Sequence, residues 1–167
     1  MDNIITAKIG SGAFLKNNDH YLLIKRSPEK EIAPNVWSCI GGHMEKEEIN
    51  NPLATCLREI EEETGITKEH IFNIELKYIM IRQYKNLIRQ YYIYFGETDI
   101  VKTNNTKEGT LYWINENELL TKEYSNTFTE MLEHYIKNKQ NENIFVGVAG
   151  NNCGKLKMSW SILEDYE

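Results

Sequence analysis

A chain of 167 residues fits one domain better than two, since domains cluster at roughly 100–150 residues, and its 41% hydrophobic side chains suffice for a core without covalent staples. Cys39, Cys56 and Cys153 are odd in number and lack any C-x-x-C spacing, which argues against a disulfide framework or a zinc knuckle and for a reducing, cytoplasmic setting. The net charge of −6 is concentrated in residues 45–63, where seven glutamates face only Lys46 and Arg58, so no basic footprint remains for a nucleic acid polymer or an anionic membrane.

The amino-terminal stretch lacks the basic segment and long apolar run of a signal peptide, and no segment approaches ~18 consecutive apolar residues. Neither secretion nor membrane spanning is expected. Thr6 to Lys16 and His20 to Arg26 read as strands joined by a polar turn. A loop with Pro28 and Pro34 leads into the apolar run from Val36 to Ile40, which is expected to end at Gly41-Gly42. After the acidic block, Lys77 to Tyr84 and Ile88 to Phe95 form a second hairpin candidate, and Leu111 to Ile114 one more strand. Residues 116–138 hold helical periodicity, with Phe128, Met131, Leu132 and Tyr135 on one stripe. A last hairpin is expected within residues 143–164. Strands mixed with two helices predict a layered α/β domain spanning residues 1–167, with a mixed sheet.

The acidic segment carries its own punctuation. Asn51 suits an N-cap, Pro52 the first helical position and Gly65 a left-handed terminator. At 100° per residue, Leu53, Cys56, Leu57 and Ile60 share one arc, while Glu59, Glu62 and Glu63 share the adjacent one. An ordinary solvated glutamate face is the plain alternative. The other reading is an oxygen-rich site for a hard divalent ion, with Glu63 nearest the apolar stripe.

Gly42-x5-Glu48 followed by Arg58-Glu59-Ile60-x-Glu62-Glu63-x-Gly65-Ile66 resembles the Nudix box, here residues 42–66. The second half matches in every fixed letter, a coincidence expected roughly once per million starting positions. Two departures are visible: nine residues separate Glu48 from Arg58 where the motif has seven, and Lys46 stands where many members have glycine. The extra residues fall around Asn50-Asn51-Pro52, and either Glu48 or Glu47 could take the loop position.

The resemblance implies a Nudix α/β/α sandwich with an added C-terminal β-hairpin, and hydrolysis of a nucleoside diphosphate linked to another moiety with Mg²⁺ or Mn²⁺. Carried over by position, Glu59 and Glu63 look like metal ligands, Glu62 a further ligand or water orienter, and the Gly42 carbonyl a backbone ligand. Arg58 resembles the arginine that orients box carboxylates. Glu108 matches a general-base position, while Arg26 and His43 match positions that approach substrate phosphates. Arg82 and Arg89, charged residues on otherwise apolar strands, are candidates to face the substrate cleft, with paired surface charges as the alternative. Trp37, Tyr84, Tyr91, Tyr92, Tyr94 and Trp113 could stack a base or fill the core.

The implied substrate is a small-molecule nucleotide, with a nucleoside triphosphate such as 8-oxo-dGTP, cleaved to monophosphate and pyrophosphate, as the leading reading. ADP-ribose, dinucleoside polyphosphates and a non-hydrolytic Nudix-fold binding module remain open. A Nudix-fold isoprenyl diphosphate isomerase, which uses a catalytic cysteine, is disfavoured, although Cys39 lies near the diglycine. The C-terminal hairpin could cap the site or form a homodimer contact through Val146, Trp160 and Ile162.

Overall fold

A computed structural model describes residues 4–30, 33–103 and 106–164. Period-two alternation along the first strand explains the layering. In β1 (Thr6–Asn17), Phe14 joins one apolar cluster while Ala13 and Leu15 join another, so both faces of the strand are buried. Each face needs a helix over it. α1 (Pro52–Thr64) covers one with Cys56 and Ile60, and α2 (Asn126–Lys137) covers the other with Met131 and Leu132. The sheet therefore lies between two helices, the α/β/α sandwich that the resemblance implies.

The remaining strands are β2 (His20–Arg26), β3 (Trp37–Ser38), β4 (Ile40–His43), β5 (Ile71–Tyr84), β6 (Leu87–Thr98), β7 (Gly109–Asn115), β8 (Phe145–Asn152) and β9 (Lys155–Ile162). Nine strands form one mixed sheet, ordered β3-β2-β1-β6-β5-β8-β9, with β4 on β1 and β7 on β2. β1 runs parallel to β6 along eleven pairs, from Thr6 opposite Leu87 to Lys16 opposite Glu97. Its other edge is divided: residues 15–17 pair with β2, and residues 10–13 pair antiparallel with β4.

Four boundaries differ from the sequence reading. The run at Val36 does not stop at the diglycine, because β4 continues through Gly41 and Gly42 to His43 on the edge of β1. β5 begins at Ile71, six residues before the expected Lys77, with register shifts near Phe72 and Leu76 that interrupt its alternation and hid it. The periodic segment after Asn115 splits into a 3-10 turn, Glu116–Thr121, and α2. The C-terminal hairpin joins the main sheet, since β8 pairs parallel with β5. Trp160 on β9 packs edge-on against Tyr78 at 5.3 Å and over His134 at 4.8 Å, so this ring lies against the domain's own core, where the sequence reading offered it to a cap or a dimer contact. Among the described residues no helix is long and apolar enough to cross a membrane.

Candidate active site

The site is built where α1 meets β4. The Asn51 side chain accepts a hydrogen bond from Ala54 N–H at 3.1 Å, Pro52 opens the helix, and Gly65, at φ 76°, donates its N–H to Glu61 O at 2.8 Å. A 3-10 turn over Lys46–Glu48, followed by Asn51 N–H donating to Glu48 O at 2.7 Å, takes up the two additional loop residues before the helix starts. The phase of the glutamates is left intact.

Glu63 is 8% exposed, and its Oε2 accepts the Gly41 N–H at 2.9 Å. Burial pushes its carboxyl up to about 7, with the nearby charges of Glu59 and Glu108 adding to the rise and the Gly41 N–H and Arg26 opposing it. Glu59 is raised by burial too, against the opposing pull of Arg58. A β-carbon on Gly42 would stand 2.5 Å from the Glu59 carboxylate carbon and both its oxygens, so any larger residue here displaces that carboxylate. Gly10 on β1 has a similar constraint: its β-carbon would meet the Tyr91 ring at 2.3 Å and Gly42 O at 2.8 Å.

Arg58 ties the acidic groups together. Its Nε and Nη2 donate to the two oxygens of Glu48 at 2.8 and 3.0 Å, its Nη1 to Glu59 at 2.9 Å and Glu62 at 3.3 Å, and its Nη2 also to His43 O at 3.1 Å. Glu48 accepts further from Thr55 Oγ1 and Glu45 N–H, and the Arg58 fork holds its carboxyl down at about 2. Glu48, not Glu47, is thus the loop carboxylate that Arg58 grips. Glu62 is the outlier of the three helix carboxylates, with 59% of its side chain exposed.

Around this centre the other candidates divide. Arg26 and Glu108 are near enough for their charges to act on Glu63, and Arg26 Nε is buried with no hydrogen-bond partner among the described residues. Glu108 pairs with Lys30 at 2.7 Å, a partner not legible in the sequence. Beside these two, a cleft of about 630 Å³ is lined by Lys25, Arg26, Asn35, Lys107 and Gly109. His43 faces away from α1, paired with Gly10, and burial together with Lys8, Arg89 and Arg26 pushes its imidazole down. Arg82 and Arg89 stand opposite one another on β5 and β6, on the α2 side of the sheet, the face opposite to α1 and its glutamates. Of the aromatic candidates, Tyr94 is buried, Tyr92 and Trp113 pack with the α1-side cluster, and Trp37, Tyr84 and Tyr91 lie elsewhere.

Among the described residues no three Asp, Glu, His or Cys side chains are drawn together tightly enough to enclose an ion. Arg58 engages Glu59 and Glu62, while Glu63 turns to Gly41. The donor set nevertheless fits a hard divalent cation: the buried Glu63 and half-buried Glu59, both with raised carboxyl pKa, share one helix face against a glycine strand that has no side chain to intervene.

The chain matches the NUDIX domain model over residues 7–135. No curated protein matches it. Among solved structures, a mutator MutT protein from Bacillus halodurans superposes with TM-score 0.67 at 21% identity, covering 93% of this chain and 97% of that one. A MutT protein from Methanosarcina mazei gives 0.68 at 18%, covering 81% and 96%, and a C. elegans Ap4A hydrolase gives 0.62 at 15%, covering 80% and 98%. With the model matched from β1 into α2, around the diglycine and the Glu59–Glu63 face, the chain belongs to the Nudix family of pyrophosphohydrolases.

Proposed function

We propose that the protein hydrolyses a nucleoside triphosphate, including oxidised forms such as 8-oxo-dGTP, to the monophosphate and pyrophosphate. The observation that carries the site assignment is the pair Glu59 and Glu63, half-buried and buried in turn, set against Gly42 and Gly41. Glu59, Glu63 and the Gly42 carbonyl would hold Mg²⁺ or Mn²⁺, with Glu62 as a further ligand or water orienter. When bound, such an ion supplies charge neutralisation at the phosphates and a lower pKa for the attacking water.

The chain's own residues do the rest. Arg58, gripped by Glu48, fixes the direction of Glu59 and keeps Glu62 at the rim of the site. Arg26 has a buried Nε with an unused donor, and a phosphate oxygen would satisfy it. His43, beside the diglycine, is a second phosphate contact. Glu108 is the general-base candidate: its charge reaches Glu63, and once it leaves Lys30 it has a free carboxylate to take a proton from water.

The test is product analysis from nucleoside triphosphates, 8-oxo-dGTP, ADP-ribose and diadenosine polyphosphates, each with Mg²⁺, with Mn²⁺ and with chelator. Metal-dependent release of pyrophosphate from a triphosphate is the expected result. Turnover confined to ADP-ribose or diadenosine polyphosphates would replace the substrate. Metal binding without turnover of any compound would point to a non-hydrolytic module.

A further inference from the structure

On the α2 side of the sheet, three cations stand in one register row. Lys8 on β1 is opposite Arg89 on β6, and Arg89 is opposite Arg82 on β5. Register partners project to the same face, and this row follows directly after the row of Gly10, Tyr91 and Met80, whose aromatic and thioether side chains pack with the α2-side cluster. Like charges placed directly opposite across strands are unfavourable. Two such oppositions occur in succession here, in a chain whose net charge is −6.

Arg82 lies over the Tyr84 ring at 6.0 Å, but among the described residues no charge offsets the row. Among the described residues none of the three pairs with a carboxylate, whereas Lys30, Arg58 and Lys157 each do. Lys8 and Arg89 are exposed and Arg82 half-buried, so the row lies open. It is also close to the candidate site. His43 is paired with Gly10, two residues along β1 from Lys8, which places the row about 7 Å beyond the diglycine strand and makes it about 10 Å wide over three strands.

We propose that Lys8, Arg89 and Arg82 form a second anion subsite, which takes phosphate groups on the substrate arm beyond the scissile pyrophosphate. This deepens the proposed hydrolase reading and rests on it. It predicts preference for substrates whose second arm is itself charged, over those such as ADP-ribose whose second arm is a neutral sugar. The row supplies uniform binding, not chemistry, so its loss raises KM and leaves kcat in place.

Diadenosine tetraphosphate and diadenosine diphosphate differ only in two internal phosphates and make a matched pair. Their binding is titrated calorimetrically without divalent metal to the wild type, Arg82→Gln and the triple variant Lys8→Gln/Arg82→Gln/Arg89→Gln. Hydrolysis with Mg²⁺ is followed separately. The expected result is about tenfold or tighter binding of the tetraphosphate by the wild type, a gap that narrows with salt and closes to about threefold or less in the triple variant, with diphosphate affinity unchanged. Equal affinities in the wild type, or a gap that survives the triple substitution, overturn the subsite. An oligonucleotide of equal charge that binds more tightly than the tetraphosphate would also overturn it, assigning the row to a polymer. An intact, cation-dependent gap without hydrolysis supports the subsite and counts only against the hydrolase reading.

Discussion

Replacing Glu48 by Gln removes the charge that anchors Arg58 while keeping the shape of the loop. With the amide oxygen in the Oε2 position the Thr55 and Glu45 contacts persist and the 3.0 Å bond from Arg58 Nη2 weakens, while the 2.8 Å bond from Arg58 Nε is lost because the amide NH₂ opposes it. Such bonds contribute roughly 1.5–3 kcal/mol when sheltered. Here 24% of the Arg58 side chain and 15% of the Glu48 side chain meet solvent, so ~1–2 kcal/mol is expected, a fall in Tm of roughly 2–8 °C.

The pH dependence distinguishes this from general damage. The Glu48 carboxyl is held down at about 2 against an ordinary 4.5. A lowered carboxyl contributes stability that is fully present above 4.5 and is lost as pH falls through about 2. The deficit of Glu48→Gln relative to wild type should therefore be full at pH 7, shrink below pH 4.5 and vanish near pH 2. Urea unfolding of both proteins across that range reads it directly, and a deficit that stays constant from pH 7 to pH 3 would refute the reasoning. Because Arg58 also holds Glu59, kcat should fall severalfold in the same variant.

Glu63→Gln should eliminate hydrolysis while Tm at pH 8 holds or rises, because a buried charge is replaced by its neutral isostere; a collapse in Tm would mean the carboxylate is structural. Gly42→Ala puts a methyl group 2.5 Å from the Glu59 carboxylate, and metal affinity measured by calorimetry should drop at least tenfold with little change in the far-UV circular dichroism spectrum. Glu108→Gln should slow turnover by about 10²–10⁴ at unchanged KM if this residue is the base, and Lys30→Ala should not slow it. Full activity in Glu108→Gln would move the base into the helix cluster.

The acidic helix was legible in the sequence because its signals are local: cap, first-turn proline, terminal glycine and the angular phase of three glutamates all lie within fifteen residues. β1 was legible as a strand from Thr6 to Lys16, but its burial on both faces was not, because only Ala13, Phe14 and Leu15 form an unbroken apolar run in it. What could not be read were pairings between distant segments. Lys8 went unnoticed as a partner of Arg89 because nothing in one strand reports its register with a strand eighty residues away. Lys30 was silent for the same reason, its link to Glu108 arising from the adjacency of β2 and β7. The start of β5 was hidden by its bulges, and β4 by glycines that ordinarily mark the end of a strand.

β4 offers consecutive residues to opposite sides of the sheet. Gly42 looks toward the glutamates of α1, while His43 pairs with Gly10 on the side of the cation row. Among the described residues only β1 pairs with it as a strand, and its outer border is taken by α1 side chains, Glu63 accepting the Gly41 N–H and Arg58 donating to the His43 carbonyl. A ligand that reaches both acidic and basic groups must fold over that border like a hairpin over a rail. Substrate selection would then turn on bending: flexible phosphate chains make the corner readily, and a stiff or short linkage strains to do so. A one-residue slip of β4 would exchange the two sides, setting an imidazole against Glu59 and a bare glycine among the cations. That a side-chain-free position faces Glu59 thus depends on four backbone pairings and the parity of a single short strand.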